Sequence, residues 1–179
     1  MRQEIRISGF GGQGVILAGF LLGKAFALYQ DLEAVMTQSY GPEARGGASS
    51  SSIVVADQPI AYPFVQKADV LIALSQEGYK RYRGETKPEA VIIIDEGLVT
   101  PKPGDKPLRI PATKLAEDLG RRIVTNVIIL GFFCAVSDVV TRKAMEESIR
   151  TSVKPKTLAL NLEAFELGFA YAKVEERGS

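Results

Sequence analysis

Residues 5–18 read IRISGFGGQGVILA, and this stretch decides the fold of the chain. A short β-type run opens through a cluster of glycines into a long apolar segment, an order that predicts a strand, a tight turn and the start of a helix. Gly9, Gly11 and Gly14 follow the G-x-G-x-x-G spacing that surrounds the phosphates of dinucleotides in many α/β proteins. Glycines at this spacing also serve tight turns and close helix packing, so the spacing alone leaves both interpretations open.

Strand and helix patterns follow one another along the chain and predict a single α/β domain over residues 1–179. Strands are predicted over residues 4–8, 34–38, 52–56, 70–74 and 91–95, and helices over residues 12–29, 112–119, 126–136, 141–150 and 156–176. The run at 91–95 is continuously apolar, which is typical of a strand buried on both faces of a parallel sheet. We therefore expect a three-layer domain with a largely parallel Rossmann-like sheet and a helical C-terminal part.

Two further patterns refine this expectation. The first helix is apolar nearly all round until Lys24, so we expect it to be buried. Residues 100–107 contain three prolines, whose rings and missing amide donors predict a surface loop.

The composition excludes several classes of function. The net charge is +1 and the charges are dispersed, so neither a nucleic-acid partner nor an anionic membrane is expected. Cys134 is the single cysteine, which excludes an internal disulfide and an iron–sulfur cluster held by this chain, and we expect it to pack as a small hydrophobe. The chain has no histidine, the most frequent general base and metal ligand, and no metal site is expected.

The N-terminal residues run directly into the first predicted strand without the basic and apolar regions of a signal peptide. No apolar run reaches the length needed to span a membrane. We therefore expect a cytoplasmic protein.

The dinucleotide interpretation of the glycine turn lacks its usual partner residue. A dinucleotide site places an acidic residue at the end of the second strand to bind a ribose, but Asp31 and Glu33 precede that strand and residues 37–40 at its end read TQSY. A phosphate-binding loop of the Walker type would need a lysine after Gly14, where Val15 stands instead. The turn is therefore interpreted as a structural or phosphate-facing helix start.

A long polar segment at residues 37–52, TQSYGPEARGGASSSS, is the second candidate for function. Glu43 and Arg45 present opposite charges between a Gly-Pro turn and a pair of glycines, Gly46 and Gly47, that allows close backbone approach. Two interpretations remain open for the charges, a local ion pair or a bidentate contact of Arg45 with a carboxylate or phosphate.

Three other polar features receive mainly structural interpretations. The serines at residues 49–52 are typical of a solvated turn and sheet edge rather than an anion site. Asn126 is predicted to be the N-cap of a helix rather than a ligand contact. Ser75 follows the strand at 70–74, where α/β sheets bind ligands, but it is equally suited to cap a helix.

These segments occur together in a recognisable order: GGQG at 11–14, QSYGPEARGG at 38–47, SQE at 75–77, and Asn126 followed by LG at 130–131. In this respect the chain resembles the gamma subunit of the 2-oxoacid:ferredoxin oxidoreductases over essentially its full length. The YGPEARGG loop is the most specific part of the resemblance. The residues at 37–45 are more similar to 2-oxoglutarate-type than to pyruvate-type gamma chains.

The resemblance implies a complex that decarboxylates a 2-oxoacid on thiamine diphosphate with magnesium, passes electrons through iron–sulfur clusters to ferredoxin and releases an acyl-CoA. The chain has one cysteine and lacks the Gly-Asp-Gly signature of thiamine diphosphate enzymes. The resemblance therefore implies that this chain alone binds no cofactor and is inactive. It implies alpha and beta subunits that bind thiamine diphosphate, together with a ferredoxin-like delta subunit or domain.

The resemblance also implies that this subunit helps to close the channel for coenzyme A and supplies no catalytic residue or metal ligand. The residues implied to contact coenzyme A or a neighbouring subunit are Gly11, Gly12, Gln13, Gly14, Tyr40, Glu43, Arg45, Gly46 and Gly47. A free-standing nucleotide or acyl-CoA binding protein is the alternative from another class. An NAD-dependent enzyme is disfavoured by the missing ribose-binding acid and the absence of histidine.

Overall fold

The computed structural model describes residues 1–41 and 48–178 of the chain. The strands in this part are β1 (Arg2–Phe10), β2 (Glu33–Tyr40), β3 (Ala48–Ala56), β4 (Ala68–Ala73), β5 (Thr86–Asp95) and β6 (Leu108–Ile110). The helices are α1 (Val15–Tyr29), α2 (Gln76–Tyr82), α3 (Ala112–Asp118), α4 (Thr125–Val136), α5 (Arg142–Arg150) and α6 (Pro155–Gly178). All five predicted strands and all five predicted helices are present, with shifted ends. No helix in the described ranges is long and apolar enough to cross a bilayer.

The six strands form one mixed sheet in the order β2-β3-β1-β4-β5-β6. β1, β4, β5 and β6 are parallel neighbours, whereas β3 runs antiparallel between β1 and β2. Because β2 is antiparallel to β3, it has the same direction as β1, and β3 alone is reversed among these strands. The prediction of a largely parallel α/β sheet is confirmed.

Helices cover both faces of the sheet and produce three layers. α1 and the helices from α3 to α6 enclose the larger core cluster on one face, which includes Ile7 and Ile93. α2 covers a smaller cluster on the other face, where Tyr79 packs with Ile92 and Ile94. Since successive residues of β5 are buried on opposite faces, the predicted two-sided burial of this strand is confirmed.

The four serines at residues 49–52 lie inside the sheet, so their interpretation as solvated turn residues is wrong. They belong to β3, and each is at most 9% exposed. Ser51 Oγ donates to the Val15 carbonyl at 2.9 Å on the α1 face, and Ser50 is hydrogen bonded to the Tyr82 hydroxyl at 3.0 Å on the α2 face. Ser49 Oγ donates to the Gly9 carbonyl at 3.4 Å, and Ser52 Oγ accepts Arg6 Nε at 3.3 Å. The buried hydroxyls are tolerated because each has a hydrogen-bond partner.

α1 is buried on one side only, which corrects the expectation of complete burial. Leu17, Phe20 and Leu28 are exposed to 42%, 49% and 66%. Their positions along α1 place them on one outward stripe of the helix.

β6 was not predicted, because three residues after a proline-rich loop are too few to show a strand pattern. Ile110 of this strand is buried and pairs with Asp95 at the end of β5. The short strand sets the direction in which the chain enters α3.

Candidate functional site

The glycine turn lies between β1 and α1 at the carboxyl edge of the sheet. Gly12 and Gly14 have φ values of +90° and +72°, in the left-handed region that favours glycine. A Cβ atom placed on Gly11 or Gly12 would meet no atom of the described residues within 4 Å, and both glycines are exposed. Among the described residues, the amides of Gly11 and Gly12 have no hydrogen-bond acceptor. These two residues form the open side of the turn.

The Gln13 side chain closes the inner side of the turn. Its Oε1 accepts the Phe10 amide at 2.6 Å, and its Nε2 donates to the Leu74 carbonyl at 2.8 Å. A Cβ atom on Gly9 would lie 2.5 Å from this Oε1. The first glycine of the motif therefore makes room for a side chain of the protein itself.

Asn126 holds the other side of the turn, and its prediction as an N-cap is wrong. α4 begins at Thr125 after the cap residue Val124, so Asn126 lies inside the first helical turn. Its Nδ2 donates to the Gly14 carbonyl at 3.1 Å, and its side chain would collide with any Cβ atom on Gly14. Asn126 therefore fastens α4 to the start of α1.

A cleft of about 430 Å³ opens beside the turn. One wall is formed by residues 10–13, and the other by Thr113, Arg122, Ile123 and Thr125. The Arg122 side chain is 68% exposed and lies 3.8 Å from the Glu117 carboxylate. Sequence reasoning missed this second wall, because its residues lie about a hundred positions from the turn and follow no recognisable motif.

Asp95 fixes the position of Thr113 in that wall. The fully buried Asp95 carboxylate accepts the Thr113 amide at 2.9 Å and the Thr113 hydroxyl at 2.6 Å. The Gly97 amide donates to its other oxygen at 3.1 Å. A buried carboxylate is retained here because several donors satisfy it.

The arrangement at the cleft is suited to binding an anion. Backbone amides that have no acceptor among the described residues, in the turn just before α1, can donate to an anion, and an exposed guanidinium can form paired hydrogen bonds with a phosphate. Within residues 1–41 and 48–178, no group of three cysteine or acidic side chains is placed to hold a metal ion. The Cys134 thiol is buried, which raises its pKa to about 11 and confirms its prediction as a packing residue.

The predicted site residues fall into three groups. Residues 11–14 lie together at the cleft, with Gln13 directed into the protein. Tyr40 is 66% exposed at the end of β2, and it is in register with Ser49 of β3 and Gly9 of β1 at the same edge of the sheet. The predicted contacts Glu43, Arg45, Gly46 and Gly47 lie outside the described residues.

Two other groups of polar side chains have structural roles. Ser75 is the N-cap of α2, since its Oγ accepts the Gly78 amide at 3.1 Å, which confirms one of its two interpretations. Arg83 donates to both carboxylate oxygens of Asp105, at 2.7 and 2.8 Å, and the Tyr79 hydroxyl donates to the same carboxylate. These contacts, chiefly those of Arg83, lower the pKa of Asp105 to about 2 and fasten the proline-rich loop to α2.

Comparisons with known proteins agree with this architecture. Residues 4–171 match the family model described as pyruvate ferredoxin/flavodoxin oxidoreductase. The chain is 47% identical to the 2-oxoglutarate synthase subunit KorC of Methanocaldococcus jannaschii, and the match covers 97% of this chain and 95% of that protein.

Solved structures show the same fold. The gamma subunit of the keto/oxoacid ferredoxin oxidoreductase from Geobacter sulfurreducens superposes with a TM-score of 0.88 and 38% identity, covering 97% of this chain and 98% of that one. A 2-oxoglutarate:ferredoxin oxidoreductase from Magnetococcus marinus shares the fold with a TM-score of 0.84 and 24% identity, covering 97% of this chain and 31% of that one. The chain thus belongs to the pyruvate ferredoxin/flavodoxin oxidoreductase family, as a homologue of its gamma subunits.

Proposed function

We propose that the chain is the gamma subunit of a 2-oxoglutarate:ferredoxin oxidoreductase, and that its glycine turn contacts the coenzyme A substrate of the complex. The observation that carries the subunit assignment is the 47% identity to a 2-oxoglutarate synthase subunit over nearly the whole of both chains. The outward stripe of Leu17, Phe20 and Leu28 supports it, because exposed apolar side chains grouped on one helix are typical of a contact surface.

The reaction proposed for the complex converts 2-oxoglutarate and coenzyme A into succinyl-CoA and carbon dioxide and transfers two electrons to ferredoxin. Thiamine diphosphate with magnesium and iron–sulfur clusters, held by alpha, beta and ferredoxin-like delta partners, supply the decarboxylation and the electron transfer. One buried cysteine and no histidine fit a chain that leaves this chemistry to its partners. In this proposal, the contribution of this chain is to bind coenzyme A and to orient it.

The coenzyme A contact is proposed at the cleft beside the glycine turn. The unpaired amides of Gly11 and Gly12 and the guanidinium of Arg122 are suited to a phosphate of coenzyme A. Tyr40 ends β2 at the same edge of the sheet, so we extend the proposal to the loop that follows it, with Arg45 as a second cation.

Steady-state kinetics of the complex purified with its partners test the proposal. Gly11→Leu places a side chain in open space and Arg122→Ala removes a cation, so each should raise the KM for coenzyme A ~10-fold and leave the KM for 2-oxoglutarate unchanged. Arg45→Ala should also raise the KM for coenzyme A. Arg150→Ala is the matched control, since Arg150 is also an exposed arginine that lies 3.8 Å from a glutamate, but on α5.

Two results would contradict the proposal separately. An unchanged KM for coenzyme A in an intact complex carrying Gly11→Leu or Arg122→Ala would remove the turn from the coenzyme A site. Isolation of the native chain only as a monomer or homodimer, without a thiamine diphosphate-binding partner, would favour a free-standing nucleotide or acyl-CoA binding protein instead.

A further inference from the structure

We infer that Gln13 is a positioning residue, which holds the glycine turn to the ends of two parallel strands and acts on the bound ligand through Gly11 and Gly12. This inference rests on the proposed contact between the turn and coenzyme A. It differs from the sequence-based expectation for Gln13, which was a direct contact with the ligand or a neighbouring subunit.

The hydrogen bonds of Gln13 continue the pairing of β1 and β4 beyond its last backbone bond. The parallel register of the two strands ends with Ser8 opposite Ala73, and the Leu74 amide then donates to the Ser8 carbonyl at 2.8 Å. The next carbonyl on that side, of Leu74, accepts the Gln13 Nε2 at 2.8 Å. A side chain from the turn thus replaces the backbone donor that a longer strand would supply.

Gln13 is also paired twice with Phe10 at the start of the turn. The Gln13 amide donates to the Phe10 carbonyl at 3.2 Å, and the Phe10 amide donates to Gln13 Oε1 at 2.6 Å. These reciprocal bonds close the four-residue turn on itself. With the bond to Leu74, they fix the turn relative to both strands.

Gly11 and Gly12 lie within this closed turn, and no contact among the described residues holds their amides in place. Their amides have no partner among the described residues, and the space around their Cα atoms is open. The direction of the two free amides is therefore determined by the residues on either side, which Gln13 holds. Displacement of donors by a fraction of an ångström weakens a phosphate contact without changing the residues that make it.

The test uses Gln13→Met and Gln13→Ala in the complex purified with its partners. Methionine keeps most of the side-chain volume but can form neither hydrogen bond, and alanine removes the side chain without introducing a bulky group. We expect both variants to raise the KM for coenzyme A ~10-fold, with kcat at saturating coenzyme A within about twofold of the parent complex.

Gln30 provides a matched control at the far end of α1. Its carboxamide also forms two hydrogen bonds, accepting the Thr141 amide at 2.6 Å and donating to the Val139 carbonyl at 3.1 Å. Gln30→Met removes the same number and type of bonds, so it should lower the melting temperature by a similar amount. It should leave the KM for coenzyme A unchanged.

Hydrogen exchange at the Phe10 amide tests whether Gln13 holds the turn in solution. We expect faster exchange at this amide in Gln13→Met and parent-like exchange in Gln30→Met. Parent-like exchange in both Gln13 variants would overturn the inference. The inference would also be overturned if the Gln13 variants left the KM for coenzyme A unchanged while Gly11→Leu raised it. The proposed coenzyme A contact would be retained in that case. If Gly11→Leu also left the KM for coenzyme A unchanged, both the proposed coenzyme A contact and the inference about Gln13 would be contradicted.

Discussion

Asn126 connects the helical half of the molecule to the glycine turn by a single carboxamide. It is 2% exposed, and its Nδ2 donates to a Gly14 carbonyl that also accepts the Ala18 amide at 2.9 Å in the first turn of α1. Its Oδ1 accepts the Val127 amide at 2.9 Å. The side chain thus satisfies polar groups at the starts of two helices that are distant in sequence.

Replacement of this residue should destabilise the whole domain. Asn126→Ala removes the acceptor of the Val127 amide and one of the two donors to the Gly14 carbonyl, and we expect the free energy of unfolding to fall by about 1–3 kcal/mol, measured by urea denaturation. Asn161→Ala is the control, because within the described part of the chain the Asn161 side chain bonds only to the Thr157 carbonyl of its own helix, at 2.9 Å. An equal fall in unfolding free energy for Asn126→Ala and Asn161→Ala would contradict the role of Asn126 in linking the two helices.

Asn126 also shows where sequence reasoning reaches its limit for the site. A polar residue before an apolar helical run is typical of an N-cap, and the local pattern contains nothing against that interpretation. The partner of the side chain lies 112 positions earlier, and only the packing of α4 against α1 brings the two together. Arg122 and Thr113 were missed for the same reason, whereas the glycine turn was recognised because its spacing is local.

At the scale of secondary structure, α4 and α6 cross in unusually close contact at two glycines. A Cβ atom on Gly131 would overlap the Phe165 carbonyl, and one on Gly168 would overlap the Ile128 carbonyl. The obstacles are backbone atoms, which cannot move aside as a flexible side chain could. This crossing holds the C-terminal helix against the core.

Methyl groups at this crossing should therefore be poorly tolerated. Gly131→Ala forces the two helices apart, and we expect the free energy of unfolding to fall by about 1–3 kcal/mol or more in chemical denaturation. Gly23→Ala in α1 is the control, because a Cβ atom there meets nothing within 4 Å and alanine favours a helix interior by about 0.5–1 kcal/mol. A similar change in unfolding free energy for Gly131→Ala and Gly23→Ala would contradict the close contact of α4 and α6.

The proline-rich loop is fastened to α2 by a contact that depends on pH. The pKa of Asp105 is about 2 in the folded chain, below its ordinary value of 3.8, chiefly because Arg83 donates to its carboxylate. The contact of the Asp105 carboxylate with Arg83 therefore contributes its full stabilisation at pH values above 3.8, the ordinary pKa. This stabilisation is lost as the pH falls from 3.8 through 2.

Urea denaturation from pH 6 to pH 2 checks this dependence. The difference in unfolding free energy between the parent chain and Asp105→Asn should be greatest near pH 6 and should shrink below about pH 4. Asp118→Asn removes an exposed ion pair with Lys114, and it should change stability little over the same range. A difference for Asp105→Asn that stays constant with pH would contradict the role of its charge.

The elements that could be predicted are those with a repeated local pattern. The β-branched runs of β1, β4 and β5 and the amphipathic or apolar runs of α1 and of α3 to α6 were found, because burial imposes their periodicity. The short helix α2 was not predicted. The serines of β3 show no such pattern, and their burial depends on α1 and α2 packing on opposite faces. The exposed stripe of α1 could not be separated from its buried face, since both are apolar.

At the scale of the whole molecule, the chain has the features of one part of a larger enzyme. It contains no histidine, and its one thiol is buried with a pKa raised to about 11. We expect the isolated chain, incubated anaerobically with 2-oxoglutarate, coenzyme A and methyl viologen, to reduce no viologen. Partner subunits added to it should give reduction that depends on coenzyme A, with partners alone as the control. Turnover proportional to the concentration of the isolated chain would contradict this assignment.

β3 pairs with β1 along its whole length on one side and with β2 from Ser49 to Ala56 on the other. The end of β2 therefore stands about 9.5 Å from β1, two strand spacings away instead of one. An acidic substitution there would place its carboxylate on the wrong strand to bind the ribose of a nucleotide whose phosphates occupy the turn. Point mutations do not reorder strands, so an acidic residue at the end of β2 would not convert this turn into a dinucleotide site.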